Sequence, residues 1–244
     1  MTDHYREDLA YIHDVGHGDF ALGAAPGILE IFARNGIRGG LVVDLGCGSG
    51  LWAKELTEAG YRVLGIDISE AMVELARRRA PEAEFRVGSL FEVEIPPCAA
   101  VTAIGEVLNY LFDPKGNGEG LLALFHRVYT ALAPGGVFVF DLAEPGQISP
   151  GTATRGFTEG KDWVVLLENE EDTEQRTLTR RIVTFRRTTE CYRRDEEVHR
   201  LQLLESTEVA KQLRQAGFQV RTTCAYGRYR LPQAHAAFVG RKPA

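Results

Sequence analysis

The chain has 244 residues, enough for one large domain or two small ones and for a substantial buried core. Its 44% apolar and 25% charged residues suit an ordinary soluble protein, and no apolar run approaches the roughly 20 residues that cross a bilayer. A formal net charge of -6 disfavours nucleic acid as a partner, because that binding draws on clustered positive charge. Cys47, Cys98, Cys191 and Cys224 lie far apart and form no CxxC, so free thiols in a reducing cytosol are expected. The polar start, "MTDHYREDLA", does not read as a signal peptide, and the expected location is cytoplasmic.

In chain order, residues 1–40 read as a helical segment broken at Gly16 and Gly18, suited to a lid. "LVVDLG" is then a buried strand, and "SGLWAKELTEAG" a helix ending on Gly60. "YRVLGIDI" is the next strand. Ser69 is a good N-cap for "EAMVELARRRA", which Pro81 stops. "AEFRVGSL" and "AAVTAIGEV" add two strands. Between the second of these and "GVFVFDLA", Leu121, Phe125, Val128 and Leu132 mark one face of a helix. This rhythm predicts a doubly wound, mostly parallel α/β sheet covered by helices on both faces.

Past Trp163 the pattern changes. "WVVLLEN", "TLTRRIVTF" and "VHRLQLL" are strand-like runs joined by charged turns, which predicts a three-stranded antiparallel insertion over residues 155–205. Its arginines and glutamates are read most simply as solvated outer positions. "STEVAKQLRQAGF" is an amphipathic helix, and "FQVRTTCAY" with "AHAAFVGRK" forms a terminal strand pair. Residues 41–154 and 206–244 would therefore make one α/β domain.

The glycines after the first strand bring bare main chain close to whatever lies at that strand's C-terminal edge. The following helix points free N–H groups and a positive dipole end at the same place, so an anionic or zwitterionic ligand belongs there. Asp67, closing the second strand, can accept two hydrogen bonds from a ribose diol. A nicotinamide dinucleotide and S-adenosylmethionine both meet these demands. In the dinucleotide fingerprint, G-x-G-x-x-G, a third glycine packs one turn into the helix. Counted from Gly46 that place is Leu51, too bulky for the role. Counted from Gly48 it is Ala53, and Asp67 then follows too soon.

The order D-x-G-C-G-S-G decides between them. "VVDLGCGSG" and "VLGIDIS" resemble the first two motifs of class I S-adenosylmethionine-dependent methyltransferases. "FRVGSL", "AVTAIGEVLNYL" and "LAPGGVFVFD" resemble the later ones, so the likeness covers roughly residues 41 to 141. It implies a seven-stranded, Rossmann-like methyltransferase fold with S-adenosyl-L-methionine as cofactor. Carried over by position, Asp44 would steady the loop and Gly46, Cys47 and Gly48 would lie along the methionine end. Asp67 would hold the ribose, Ile68 and Met72 would face the adenine, and Ser89 and Leu90 would meet its edge. The family's usual aspartate is Ser89 here. Glu106 would reach the methionyl part, and Tyr11 would help cover the cofactor.

The acceptor side is read from strand ends and variable segments. Glu106, Asn109 and Tyr110 follow the fourth strand and face the expected cleft. His199 stands on the insertion that would roof the site. His13 and His17 share the N-terminal segment with Tyr11 and Asp14. His199, Tyr110, Glu106 and His13 are the candidate catalytic groups. His13 and His17 lack a third clustered ligand, so no metal is expected. An insertion after the fifth strand resembles small-molecule enzymes such as glycine N-methyltransferase and the dTDP-amino-sugar N,N-dimethyltransferases. The expected reaction is in-line methyl transfer to nitrogen or oxygen of a small molecule. An RNA or protein methyltransferase and a non-catalytic S-adenosylmethionine sensor are the alternatives. The insertion could also serve a homodimer.

Overall fold

A computed structural model describes residues 4–113, 115–116 and 118–244; residues 1–3 of the expected N-terminal segment lie outside it. Two helices come first, α1 (Glu7–Gly16) and α2 (Asp19–Arg34), divided at the predicted glycines. Then β1 (Leu41–Leu45), α3 (Leu51–Glu58), β2 (Arg62–Asp67), α4 (Glu70–Arg79), β3 (Glu84–Val87) and β4 (Cys98–Ala103) follow in strict alternation. A short 3-10 turn at Val107–Asn109 precedes α5 (Gly118–Ala131) and β5 (Leu132–Ala143). The Ser69 side chain caps α4, its Oγ accepting the Met72 N–H at 3.2 Å.

β6 (Ala153–Glu159), β7 (Trp163–Asp172), β8 (Thr177–Arg187) and β9 (Tyr192–Gln202) form a separate antiparallel sheet in that order. The insertion thus has four strands among the described residues, not the three expected. β6, "ATRGFTE", escaped because its polar, glycine-bearing run is exposed throughout and carries no burial pattern. α6 (Ser206–Gln215) and β10 (Gln219–Thr223) return to the main domain. A small ribbon of β11 (Ala225–Tyr226) and β12 (Tyr229–Arg230) follows, and β13 (His235–Arg241) ends the fold.

Among the described residues, seven strands make the main sheet, in the order β10-β13-β5-β4-β1-β2-β3, with β13 antiparallel to both its neighbours. Strand order reverses between β1 and β4, which opens a crevice at their C-terminal ends. Alternate residues feed two cores. Val42, Val63 and Val139 pack beneath α2, α3 and α4, whereas Val43, Ile66 and Phe140 pack beneath α5 and α6. Each such fully buried side chain contributes roughly 1.5–3 kcal/mol. Together the two cores fix the crevice rigidly.

The N-terminal segment divides in function. α2 belongs to the main core through Ala24, Ile28 and Phe32. α1 instead packs Leu9 and Ile12 against Trp163, Val165 and Ile182 of the insertion. Asp8, on α1, is clasped by Arg186 and Arg193. No helix among the described residues is long and apolar enough to cross a membrane.

Candidate active site

A cavity of about 490 Å³ lies between the crevice, α1 and the inner face of the insertion. At one end, the glycine loop folds back over β2, because the N–H groups of Gly46 and Cys47 both donate to the Ile66 carbonyl. Gly48 donates its N–H to Asp67 Oδ2 at 2.9 Å, while Asp67 Oδ1 accepts the Ser69 N–H at 2.9 Å. Burial raises the Asp67 pKa, against the pull of those N–H groups. The two glycines differ in purpose. A Cβ on Gly46 would lie 2.3 Å from Val107 Cγ1, whereas one on Gly48 would meet nothing within 4 Å, and both have positive φ. Gly46 permits packing; Gly48 leaves open space where a ligand can approach main chain.

Asp44 and Cys47 do not line the cavity. Asp44 sits behind the loop, where Thr102 Oγ1 donates to it at 2.7 Å and Trp52 Nε1 donates to Thr102 at 3.1 Å. Burial pushes its carboxyl up to about 7. The Cys47 side chain packs in the main core, where burial raises its thiol. Ile68, Met72, Ser89 and Leu90 do line the cavity. Ser89 Oγ pairs with the carboxylate of Asp113, which also faces the cavity. A carboxylate therefore stands beside position 89, brought from a segment far along the chain.

At the other end Glu106 stands in a left-handed backbone conformation, φ 60°. Such a conformation costs a non-glycine residue energy and persists only when its surroundings hold it. Asp141 does so, accepting the N–H groups of Gly105 (3.0 Å) and Glu106 (2.8 Å), and is itself bonded by the Tyr226 hydroxyl at 3.0 Å. Burial pushes Asp141 up to about 6. The Glu106 carboxylate accepts from Arg180 Nη2 at 2.9 Å, and His235 Nε2 lies 3.8 Å away. Burial raises the Glu106 pKa, but His235 and Arg180 outweigh it and keep the group ionised. Arg180 Nη1 also reaches the Tyr110 hydroxyl at 3.4 Å, and Tyr110 meets the Tyr5 hydroxyl at 3.1 Å. Asn109, by contrast, is turned to structure. Its amide bridges Ala143 and the Gln202 carbonyl, pinning the insertion to β5.

His199 is fully buried, with Nε2 2.8 Å from Glu197 Oε2. Glu197 also accepts the main-chain N–H groups of Tyr5 (2.6 Å) and Arg6 (2.8 Å). The potential ligand atoms of His4, Glu197 and His199 fall within 4.8 Å of one another, yet both Glu197 oxygens are taken by N–H donors. His13 lines the cavity from α1, and burial, with His17 nearby, lowers its pKa to about 4, so it is neutral at pH 7. Tyr11 is elsewhere. Its hydroxyl donates to Asp162 at 3.1 Å, and the Arg186 guanidinium lies 3.8 Å from its ring centre, so it fastens α1 to the insertion rather than facing the cavity. Reading every insertion arginine and glutamate as an outer residue also fails. Arg180, Glu171 and Glu197 turn inward. Arg180 shares the strand face of Leu178 and Ile182, and that period-2 relation was the signal available in the sequence. No comparable pattern pointed to Tyr5, Asp113 or His235.

Residues 42–136 match the family described as a methyltransferase domain. A probable S-adenosylmethionine-dependent methyltransferase of Mycolicibacterium smegmatis is 30% identical over 114 residues, 46% of this chain and 42% of the relative. The chain carries an S-adenosylmethionine-dependent methyltransferase domain. It spans less than half the length of that curated relative. Two solved structures share the whole fold. One is an S-adenosylmethionine-dependent methyltransferase from Clostridium acetobutylicum, with TM-score 0.81, 18% identity, 96% of this chain and 98% of that one. The other is the sugar N-methyltransferase KedS8 from Streptoalloteichus, with TM-score 0.79, 18% identity, 100% of this chain and 94% of that one. The likeness at this identity is one of fold, and it extends through the insertion. S-adenosylmethionine is the cofactor of such domains, and the residues present fit it: main chain is left uncovered at Gly48, and the Asp67 carboxylate stands beside it.

Proposed function

We propose that this chain transfers a methyl group from S-adenosylmethionine to a nitrogen or oxygen atom of a small molecule, in the cytoplasm. One observation carries the reading. The cavity joins the glycine loop and Asp67 at one end to the Glu106, Arg180 and Tyr110 group at the other, under the roof of the insertion. Asp67 would accept the ribose hydroxyls, Gly46 and Gly48 would meet the amino-acid tail, and Ile68 and Met72 would flank the adenine. Ser89, Leu90 and Asp113 would address its edge. When bound, S-adenosylmethionine supplies a methyl group on a sulfonium that is already strongly electrophilic. The protein's task is then alignment and exclusion of water.

A base is needed only for an acceptor that arrives protonated. Glu106 is ionised and faces the cavity, so it can hold an ammonium or draw a hydroxyl proton. Tyr110 and Tyr5 remain neutral, because burial raises both phenols, and they can orient the acceptor by hydrogen bonds. His13 is a neutral acceptor on the α1 side. His199 supports this end from behind, through Glu197 and the main chain of Tyr5. The enclosed volume and the net charge of -6 favour a small acceptor over RNA or protein. The relative named as a sugar N-methyltransferase shares the insertion and is consistent with that choice. All four cysteines are free, as suits a reducing compartment.

The test is calorimetric titration with S-adenosylmethionine and S-adenosylhomocysteine. It is followed by transfer of labelled methyl to a panel of amines and hydroxylated metabolites, with RNA and protein as further acceptors. Binding plus turnover on a small acceptor supports the reading. Absence of cofactor binding, or turnover on macromolecules alone, overturns it.

A further inference from the structure

The insertion has two faces, and the inner one roofs the cavity. The outer face of an antiparallel sheet exposed to water is normally polar. Here its centre is apolar. Phe157 is 69% exposed and Leu166 43%, with Val183 and Phe185 completing a hollow of about 520 Å³. Among the described residues no helix or loop covers it. Patches of this kind mark interaction sites. The question is what sits there.

Strand register gives the answer. Across β6 to β9, the outward residues form rows: Phe157–Leu166–Val183–Glu196, then Arg155–Glu168–Arg181–Val198, then Glu159–Val164–Phe185–Arg194. The three rows hold three arginines and three glutamates, so the face is neutral and suits neither a polyanion nor a polycation. A twofold axis lying along the strands, between β7 and β8, exchanges β7 with β8 and β6 with β9. It therefore sets Leu166 of one copy on Val183 of the other, and Val164 on Phe185. By the same operation Glu168 meets Arg181 and Glu159 meets Arg194. Apolar meets apolar, and acid meets base, at these four pairs. Such self-complementarity is what an isologous interface requires. Four strands about 4.8 Å apart and ten residues long present roughly 650 Å² in projection, close to the ~800 Å² per partner of a stable interface. We propose that this outer face is a homodimer interface, in which two insertion sheets pack face to face about a twofold axis parallel to β7 and β8. Aligned sheets pack within about 30° of each other, so these pairs stay in reach. The cavity lies on the opposite face of each sheet, so the two sites remain separate.

The charge pattern allows a mixing experiment. Glu168→Arg sets two arginines opposite each other twice across the axis, and Arg181→Glu does the same with glutamates. Either variant alone should dissociate at least tenfold more readily in sedimentation velocity. An equimolar mixture should recover the wild-type constant, because every pair across the axis is again opposite in sign. Disturbance within one chain cannot be repaired by mixing, so recovery supports the interface. Leu166→Glu should give monomer. S-adenosylmethionine binding is measured on every sample. The dimer proposal does not depend on that binding, and retained binding shows that a monomeric variant is folded. A wild-type protein monomeric at 100 times micromolar concentration overturns the proposal, as do single variants that dimerise normally or a mixture that fails to recover. Should Leu166→Glu not fold, the mixing pair still decides.

Discussion

Arg180 Nη2 stands 2.9 Å from Glu106 Oε2, and this pair joins the insertion to the loop after β4 across the mouth of the acceptor end. It links two parts of the chain that sequence analysis treated separately. Replacing Arg180 by Met removes the charge and keeps much of the apolar stem. Glu106 is then left half-buried and unpaired beside Asp141 and the tyrosines. The expected cost is roughly 1–3 kcal/mol in unfolding, below that of a fully buried pair because both side chains retain some solvent. Methyl transfer should fall at least tenfold while cofactor affinity changes little. Calorimetry and turnover on one sample separate the two effects.

Asp67→Ala should weaken S-adenosylmethionine binding by roughly 10- to 100-fold. Hydrogen bonds to a charged acceptor are worth about 1.5–3 kcal/mol each, and the loop loses the Gly48 tether as well. Undiminished affinity would sink the ribose assignment.

Gly46→Ala and Gly48→Ala should behave differently. The first drives a methyl group against Val107 and should lower thermal stability together with binding. The second meets open space, so its folding cost is the φ strain, about 1 kcal/mol, and its main effect should be on cofactor affinity. Equal loss of stability in both would argue against open main chain at Gly48.

Asp44 offers a pH test. Its folded pKa, about 7, lies above the usual carboxylate value, so the native state holds the proton more tightly than the unfolded state. Its contribution to stability is complete below about pH 4 and is lost as pH rises to about 7. Asp44→Asn should therefore match wild type near pH 4 and become the more stable protein at pH 8, by up to about 4 kcal/mol. Urea unfolding at the two pH values checks the sign. A difference that does not grow with pH would refute the raised pKa.

Asp67, Gly46 and Gly48 were legible because their neighbours in space are neighbours in sequence: a strand end, the next turn, the adjacent strand end. Tyr5, Asp113, Arg180 and His235 were not, since each reaches the cavity from a distant element. Tyr11 shows the converse. It lies in the segment expected to cover the cofactor, yet helix rotation turns its hydroxyl to Asp162.

The sequence by itself determined the alternation of strands and helices, the glycine turn and the acid beside it. Burial periodicity and backbone freedom are local properties, written into runs of a few residues. Tertiary structure alone decided which charges of the insertion turn inward and that a fourth strand, β6, completes its sheet. It also set Asp113 beside Ser89 and Glu106 beside Arg180 and His235. Those outcomes depend on how separate elements pack, and a burial penalty is felt only once the partner that relieves it has arrived.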